Sequence, residues 1–412
     1  MHDETFARIG RSLSRFQSSL QEGGSTLDAF LRANYLDRWT SDALLHVMAI
    51  RTSLLAGMQD YLIGLGLLNL ERVQLSLLTD PLAHEVEHTP SVSYKGQPYV
   101  TTHSMIYSKL LACSHPRIPG VFVDSPNIRL EMASSDGSQR GKYLVDFSQL
   151  DVEVRRNRGV GLDTYLHEPE EVEEILREDL AAALRLFEGM FRAGLERVLS
   201  RNEAALAALG VALDPPPGPF PAFQLDDGLR RYPREDVEAG LGRETESPFF
   251  FVTGLLRENY DLVYPYLQRD GTRPPLSSLP SRLIYNYDLC VKSTLRSNGQ
   301  ASPASEALSG GLREWLPEPM VARLLDQGVL PEPPVFRDGA IQNIEELGGY
   351  GPFLMVAHGR DAMGRSTFPD TFGGGLGIER ALWGILRGPV IHTIEEVTCF
   401  GKNPDSQSLY LF

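Results

Sequence analysis

The sequence predicts an α+β fold, a mainly antiparallel sheet flanked by helices, with a helical extension at the N-terminus. Three observations lead there. Helical periodicity fills residues 1–64, starting with Phe6, Ile9, Leu13, Phe16 and Leu20 at three- and four-residue spacing. Strand-like runs follow from about 91 to 154, joined by polar loops instead of regular crossover helices. Finally, Phe368 to Arg380 places four glycines (Gly373, Gly374, Gly375, Gly377) before an apolar run, so that a strand feeds a helix with Glu379 and Arg380 in its first turn.

The elements follow in order. Gly23-Gly24 ends the first helix, and Ser25 or Thr26 caps a second through Tyr35. A third helix, from about Ser41 to Gly64, is apolar enough to be buried. Leu68 to Leu78 turns strand-like and stops at Asp80-Pro81. Ser91–Tyr94 and Pro98–Val100 flank Gly96 as a hairpin. His103 to Cys113 reads as a helix, followed by strands at Val121–Val123, Ile128–Met132 and Tyr143–Val154, the last two separated by the polar loop Ser134 to Lys142. Glu168 to Leu209 is one long helical stretch, broken by Asp214-Pro215-Pro216-Pro217. Strands resume at Phe249–Val252 and Leu283–Val291, while residues 296–306 and 331–339 read as loops.

Bulk properties narrow the function classes. With 412 residues and 42% hydrophobic content, a sizeable core is expected. The formal net charge of −15 disfavours non-specific nucleic-acid binding, which needs a basic footprint. Cys113, Cys290 and Cys399 lie far apart and make neither a disulfide framework nor a zinc knuckle. The sequence carries no secretory signal and no apolar run long enough for a membrane span, so a reduced, cytoplasmic setting is expected.

Four polar clusters could carry chemistry. Arg129-Leu130-Glu131 is followed by Asp146 to Glu153, where alternation places Phe147, Gln149, Asp151 and Glu153 on one strand face. That face is either a ligand floor or a solvated outer face. Tyr287-Asp288 lies in an apolar strand, and Glu306 to Glu314 includes Ser309 and Arg313. Paired carboxylates such as Asp288 and Glu306 suit Mg²⁺, although each taken alone reads as an ordinary edge-strand or helix-start acid. The fourth cluster is the glycine stretch with Arg380. Two arginines, two acids, an aromatic and a glycine floor describe a nucleoside triphosphate site. A P-loop is not the device, since Gly137 to Lys142 is one residue short of that motif and runs into Tyr143.

These residues resemble class II aminoacyl-tRNA synthetases. Arg129-Leu130-Glu131 with Asp146-Phe147 resembles motif 2, Gly373 to Arg380 resembles motif 3, and Arg51 through Pro81 is compatible with the dimer-forming motif 1. Asp146 to Glu153 resembles the aspartyl and asparaginyl synthetases. Thr102-His103-Ser104, Gln149 to Glu153, Arg231-Tyr232-Pro233, Glu306 to Arg313 and Pro369 to Gly377 resemble ammonia-dependent asparagine synthetase.

The resemblance implies a catalytic domain over residues 43–412 with a helical insertion at about 160–245, preceded by an extension over 1–42. It implies ATP and Mg²⁺ as cofactors, with Arg129, Glu131, Phe147, Gly375, Gly377 and Arg380 binding ATP. Phe147 would stack on adenine, Arg129 would hold the α-phosphate and the attacked carboxylate, and Arg380 the γ-phosphate. Asp288 and Glu306 would hold the metal, and Lys109, Gln149, Asp151, Ser309 and Arg313 the amino acid. Asp151 is also a candidate for taking a proton from the attacking amine. Lys109 reads equally as a solvated helix lysine, and His103 as a packing histidine.

The implied activity is adenylation of aspartate or a similar amino acid and its transfer to ammonia or another amine, by a homodimer. Tyr107 stands where the asparagine synthetase motif has lysine, which leaves the carboxylate substrate open. No barrel-like segment precedes residue 70, which with the charge argues against tRNA as acceptor. The alternatives are an aminoacyl-tRNA synthetase paralogue without an anticodon-binding domain and a non-catalytic regulatory paralogue.

Overall fold

The computed structural model describes residues 2–402 and 404, except 78, 81–85, 133–142, 157, 217, 235, 256–260, 269–270, 276–277, 293–295, 298–299, 302–303, 349, 361–365 and 403. Pro81, Pro217 and the polar loop from Ser134 to Lys142 therefore lie outside the described residues.

The N-terminal helices form where periodicity and capping residues put them. Helix α1 (His2–Glu22) ends at Gly23-Gly24, with Gly24 at φ 78°, a conformation open to glycine. Its apolar stripe faces outward at Phe6 and Ile9, while Phe16 meets Phe30 edge-on at 4.9 Å. Thr26 caps the short helix Leu27–Leu31. The Trp39 indole N–H donates to Cys399 O at 3.1 Å, tying this extension to the C-terminal segment.

Helix α2 (Asp42–Gly64) is capped by Ser41 and buries Val47, Ile50, Leu54, Met58 and Leu62. After α3 (Ile106–Cys113), the long helix α4 (Pro169–Arg201) begins with proline in its first turn, where the missing N–H costs nothing. A Cβ on Gly57 of α2 would stand 2.6 Å from Ala193 O of α4, so glycine lets the two helices cross in close contact. The remaining helices that matter here are α5 (Leu225–Arg231), α6 (Val237–Glu244) and α7 (Ile378–Leu386).

The helices enclose an eight-stranded sheet. Its strands are β1 (Leu68–Asn69), β2 (Gly120–Ile128), β3 (Asp146–Arg155), β4 (Ala222–Gln224), β5 (Phe249–Thr253), β6 (Asn286–Val291), β7 (Ser305–Leu312) and β8 (Thr371–Gly377). The order is β1-β2-β3-β8-β7-β6-β5-β4. Every pairing is antiparallel except the two at the margins, β1–β2 and β4–β5. On one face Leu150, Val152, Tyr287 and Leu289 join Phe187 and Phe191 of α4, Leu54 and Met58 of α2, and Leu382 and Leu386 of α7 in the main core. On the other face α5 and α6 cover Phe250, Val252 and Cys290. The polar residues Asp151 and Glu153 of β3 are buried.

Several boundaries differ from the sequence expectation. Leu68 to Leu78 contains two two-residue strands instead of one, because the chain leaves β2 after Asn69 and Leu75–Ser76 joins the hairpin Ser91–Tyr94/Gln97–Thr101. The exposed Leu68, Leu75 and Leu77 have no core face to hold a longer register. Strand β2 stops at Ile128 and does not run on to Met132, since Glu131 N–H bonds back to Arg129 O at 2.8 Å and turns the chain. The stretch Glu168 to Leu209 breaks at Asn202, whose φ of −126° interrupts the helix before Glu203–Ala208. Residues 160–245 are not wholly helical, as β4 adds an edge strand. Residues 296–306 are not all loop: Ser305 and Glu306 open β7, and Arg296–Ser297 pairs with Gln300–Ala301. Within 331–339, Phe336–Arg337 pairs with Ala340–Ile341 across Asp338-Gly339, both at positive φ, a type I′ arrangement suited to Asp-Gly.

Candidate active site

Antiparallel register builds the site as rows across the sheet. Asp288 of β6 pairs with Ser309 of β7, Ser309 with Gly375 of β8, and Gly375 with Asp151 of β3. One row deeper are Asn286, Gly311, Gly373 and Glu153. One row shallower, Gly377 pairs with Gln149. The alternation expected for Phe147, Gln149, Asp151 and Glu153 is thus realised, and the face they share is not a solvated surface, with Asp151 and Glu153 buried and Phe147 and Gln149 half-buried.

The glycines set how closely that floor packs. A Cβ on Gly373 would lie 2.0 Å from Glu153 Oε2 and 2.4 Å from Val152 O, and one on Gly375 3.0 Å from Asp151 Oδ1. Gly374 points to the opposite face, where a Cβ would crowd Ser309 O at 2.9 Å and Phe187 at 3.2 Å. Tyr287 supports β8 from that core side by donating its hydroxyl proton to Gly373 O at 3.0 Å.

The deep end is an ion-pair network. Lys109, only 1% exposed, donates to Asp151 Oδ1 at 2.8 Å and lies 3.8 Å from Glu153. Ser125 Oγ donates to the other Asp151 oxygen at 2.6 Å. Arg313 reaches Glu153 at 3.3 Å and Asp261 at 2.6 Å, and Thr371 donates to Glu153 at 2.7 Å. Lys109 is therefore no solvated helix lysine; α3 lies across the sheet and threads it into the interior. Burial, with Glu153 adding to it, pushes the nearby Cys113 thiol up to about 12, so it stays protonated and inert at neutral pH. His103 is buried, with Nδ1 3.0 Å from Asp80 O, and acts as a packing residue.

The shallow end carries Arg380 and Arg129. Arg380, displayed by the first turn of α7, pairs with Glu306 at 3.0 Å and lies over the Tyr143 ring at 5.1 Å. Glu379 turns the other way and accepts the Ser148 N–H at 2.9 Å, so adjacent residues of one turn serve opposite sides. Arg129 donates through Nε to His103 O at 3.0 Å and lies over the Phe147 ring at 5.3 Å. Glu131 bridges to Val86 beside it.

Asp288 is 2% exposed in the interior strand β6, not at an edge. Glu306 sits at a β-bulge where the β6–β7 register shifts between Glu306 and Leu308, which re-aims its side chain toward Arg380. Its carboxyl group remains partly exposed, with 31% of the side chain accessible.

Structure thus brings together Arg129, Phe147, Gln149, Asp151, Asp288, Glu306, Ser309, Gly375, Gly377 and Arg380 along one floor. Lys109 and Arg313 lie at its deep end, and Glu131 stands beside Arg129. Reasoning from sequence missed Asp261, Ser125, Tyr143 and Glu238. Only Tyr143 had a signal, its place between Arg129-Leu130-Glu131 and Asp146-Phe147. Glu238 lies in the first turn of α6, and its Oε2 accepts the Glu306 N–H at 3.2 Å. Burial, then Asp288 and Glu306, push the Glu238 carboxyl up to about 8.

The donor set fits Mg²⁺-ATP. Among the described residues no three His, Cys, Asp or Glu side chains converge into a preformed metal cage. Asp288 and Glu306 instead offer the one or two carboxylates with which Mg²⁺ is held when phosphates supply the remaining oxygens.

No family model matches the chain, and no curated protein matches it either. Solved structures do. Asparaginyl-tRNA synthetase from Pyrococcus horikoshii, complexed with asparaginyl-adenylate, superposes with a TM-score of 0.64 at 15% identity, covering 94% of this chain and 74% of that one. The Entamoeba histolytica asparaginyl enzyme, also with asparaginyl-adenylate, gives 0.57 at 14%, covering 88% and 68%. Aspartyl-tRNA synthetase from Entamoeba histolytica gives 0.55 at 17%, covering 92% of this chain and 62% of that one. No helix among the described residues is long and apolar enough to cross a membrane. The mixed, mainly antiparallel sheet flanked by helices, with its N-terminal helical region, is the catalytic-domain fold of the class II aminoacyl-tRNA synthetases.

Proposed function

We propose that the protein is an ATP-dependent ligase that adenylates an amino-acid carboxylate, aspartate or a similar one, and transfers it to ammonia or another amine, giving an amide, AMP and pyrophosphate. The observation that carries this reading is the convergence of Arg129, Phe147, Glu306 and Arg380 at the open end of a floor whose next row holds Asp288, Ser309, Gly375 and Asp151. Two structural neighbours with this fold carry an asparaginyl-adenylate.

In this reading Arg129 and Arg380 hold the anionic groups of ATP, and Phe147 offers its ring to the adenine. ATP phosphates would draw Arg380 from Glu306, freeing that carboxylate to join Asp288 in holding Mg²⁺. When bound, Mg²⁺ neutralises the charge that builds on the phosphates during attack. Preorganised arginines do the same work without reorganising at the moment of reaction. Gln149 and Ser309 line the floor where the amino acid would lie. Lys109 holds Asp151 in place, and Asp151 takes the proton of the attacking amine. A small acceptor is supported by the net charge of −15. The exposed Leu45, Met48, Ile63 and Leu65 of and beside α2 support a homodimer.

ATP–pyrophosphate exchange across a panel of amino acids tests the reading. Exchange with at least one of them is expected, and Arg380→Ala should abolish it without lowering the melting temperature. Absence of exchange with every carboxylate, despite ATP binding, refutes adenylation. A second reading, aminoacyl-tRNA synthesis, is favoured by the likeness to asparaginyl- and aspartyl-tRNA synthetases. Formation of labelled aminoacyl-tRNA instead of a free amide would decide for it.

A further inference from the structure

Residues 398–402 tie the N-terminal extension to the start of β3. Arg38 and Trp39, just ahead of the Ser41 cap of α2, both reach this segment. The Arg38 guanidinium donates to Thr398 O, and the Trp39 indole N–H donates to Cys399 O at 3.1 Å. The Phe400 ring meets Trp39 edge-on at 5.9 Å. Gly401 lets the chain fold back here, since a Cβ would stand 2.9 Å from the Thr398 methyl and 3.0 Å from Glu395 Cα. Lys402 then lands on β3: its carbonyl accepts the Val145 N–H at 2.7 Å, and its ammonium donates to Asp146 at 3.1 Å.

Those two contacts fall where β3 has lost a neighbouring strand. Strand β8 pairs with β3 only as far as Gln149, because the chain turns into α7 after Gly377. Upstream of Gln149 other groups hold β3: Glu379 accepts the Ser148 N–H, and Lys402 accepts that of Val145. Val145 O in turn accepts the Arg129 N–H at 2.9 Å, and Asp146 adjoins Phe147, whose ring lies 5.3 Å from the Arg129 guanidinium. Lys402 is thus one residue removed from both groups assigned to the nucleotide. We propose that Lys402 is a positioning residue for that end of the site: by clamping Val145 and Asp146 it fixes where Arg129 and Phe147 stand, and residues 398–402 make that placement depend on Trp39. Lys402 touches no ligand in this arrangement and acts through the start of β3. The inference rests on the reading of Arg129 and Phe147 as nucleotide-binding, and it gives the N-terminal extension a part in ATP affinity.

The test compares full-length wild type with Lys402→Ala, Lys402→Arg, Trp39→Ala and the double alanine variant. Two readouts are taken: KM and kcat in ATP–pyrophosphate exchange, and the Kd of a non-hydrolysable ATP analogue by calorimetry, which needs no turnover. Lys402→Ala should raise the KM for ATP and the analogue Kd by about threefold to fivefold, the scale of a partly exposed ion pair. Its kcat should stay close to that of wild type, as when binding alone is lost. Lys402→Arg keeps a cation for Asp146 and should restore the wild-type values. Trp39→Ala should weaken analogue binding in the same direction, and the double variant no further than the larger single, because the two residues act through one segment. Phe400→Ala, at an exposed ring, repeats the Trp39 arm should Trp39→Ala fold poorly. Unchanged analogue affinity in Lys402→Ala, or a rise that Lys402→Arg does not reverse, overturns the positioning role. Wild-type affinity in the Trp39 arm, or additive effects in the double variant, overturns the link to the extension. If wild type shows no exchange, adenylation fails while the analogue Kd still judges Lys402. Normal wild-type exchange with an unresponsive Lys402→Ala sinks this inference alone.

Discussion

Replacing the floor glycines one at a time separates packing from ligand binding. In Gly373→Ala the added methyl would lie 2.4 Å from Val152 O, an atom of the paired strand, and 2.0 Å from Glu153 Oε2. A backbone atom cannot swing away, so β3 and β8 must part, and Glu153 would be pushed off Arg313 and Thr371. Overpacking of this kind costs about 3 kcal/mol or more. Total stability of a domain is only about 5–15 kcal/mol. In Gly375→Ala the close atoms are Asp151 Oδ1 at 3.0 Å and Gln149 Nε2 at 3.2 Å, both at side-chain ends. A few tenths of an ångström relieve that contact, so about 1 kcal/mol is expected. The methyl would, however, stand in the row between Asp151 and Ser309, where the amino acid would lie. Urea midpoints and exchange kinetics on the two variants give the comparison. Gly373→Ala should unfold much earlier, whereas Gly375→Ala should fold normally and raise KM for the amino acid by about tenfold or more, since misplacement of about 1 Å costs up to roughly 100-fold. Equal destabilisation of both variants, or a wild-type KM in Gly375→Ala, would refute the assignment of that row to the ligand.

Two further outcomes follow from the buried charges. Lys109→Ala leaves Asp151 buried without its cation and Glu153 with Arg313 alone, and should cost about 3–5 kcal/mol in urea unfolding; a loss under about 1 kcal/mol would contradict the network. Glu314 accepts the N–H groups of Trp315 and Leu316 at 3.1 Å each, and burial raises its carboxyl from the ordinary 4.5 to about 7. The folded state thus holds a proton that the unfolded chain releases, so stability should fall as pH rises from about 4.5 to about 7 and level off above, by roughly 3 kcal/mol at most. Glu314→Gln, whose amide oxygen can accept the same two N–H groups, should flatten that slope in pH-dependent melting curves, and an unchanged slope would show that Glu314 is not its source.

What the sequence determined by itself was local or periodic. Helix α2 follows from its apolar residues and the Ser41 cap, the hairpin from Lys95-Gly96 at positive φ, and the floor face of β3 from strict alternation at Phe147, Gln149, Asp151 and Glu153. The glycine strand and Arg380 were legible because a backbone that must approach its neighbours closely leaves glycine as the residue that fits, and this constraint is written in residue type. Register and long-range packing were not legible. The placement of Asp288, Ser309, Gly375 and Asp151 in one row depends on four strands drawn from residues 146 to 377, and no spacing along the chain encodes it. Burial of Lys109 depends on α3 crossing the sheet, and the partnership of Arg313 with Asp261 on an isolated bridge between distant segments. Glu238 was hidden for the same reason. On its own helix it looks like an ordinary acid of a first turn, where the helix dipole favours one. It comes to lie beside Glu306 because Leu241, one turn on, buries itself against Phe250, Val252 and Cys290 and brings that turn to the bulge at Glu306.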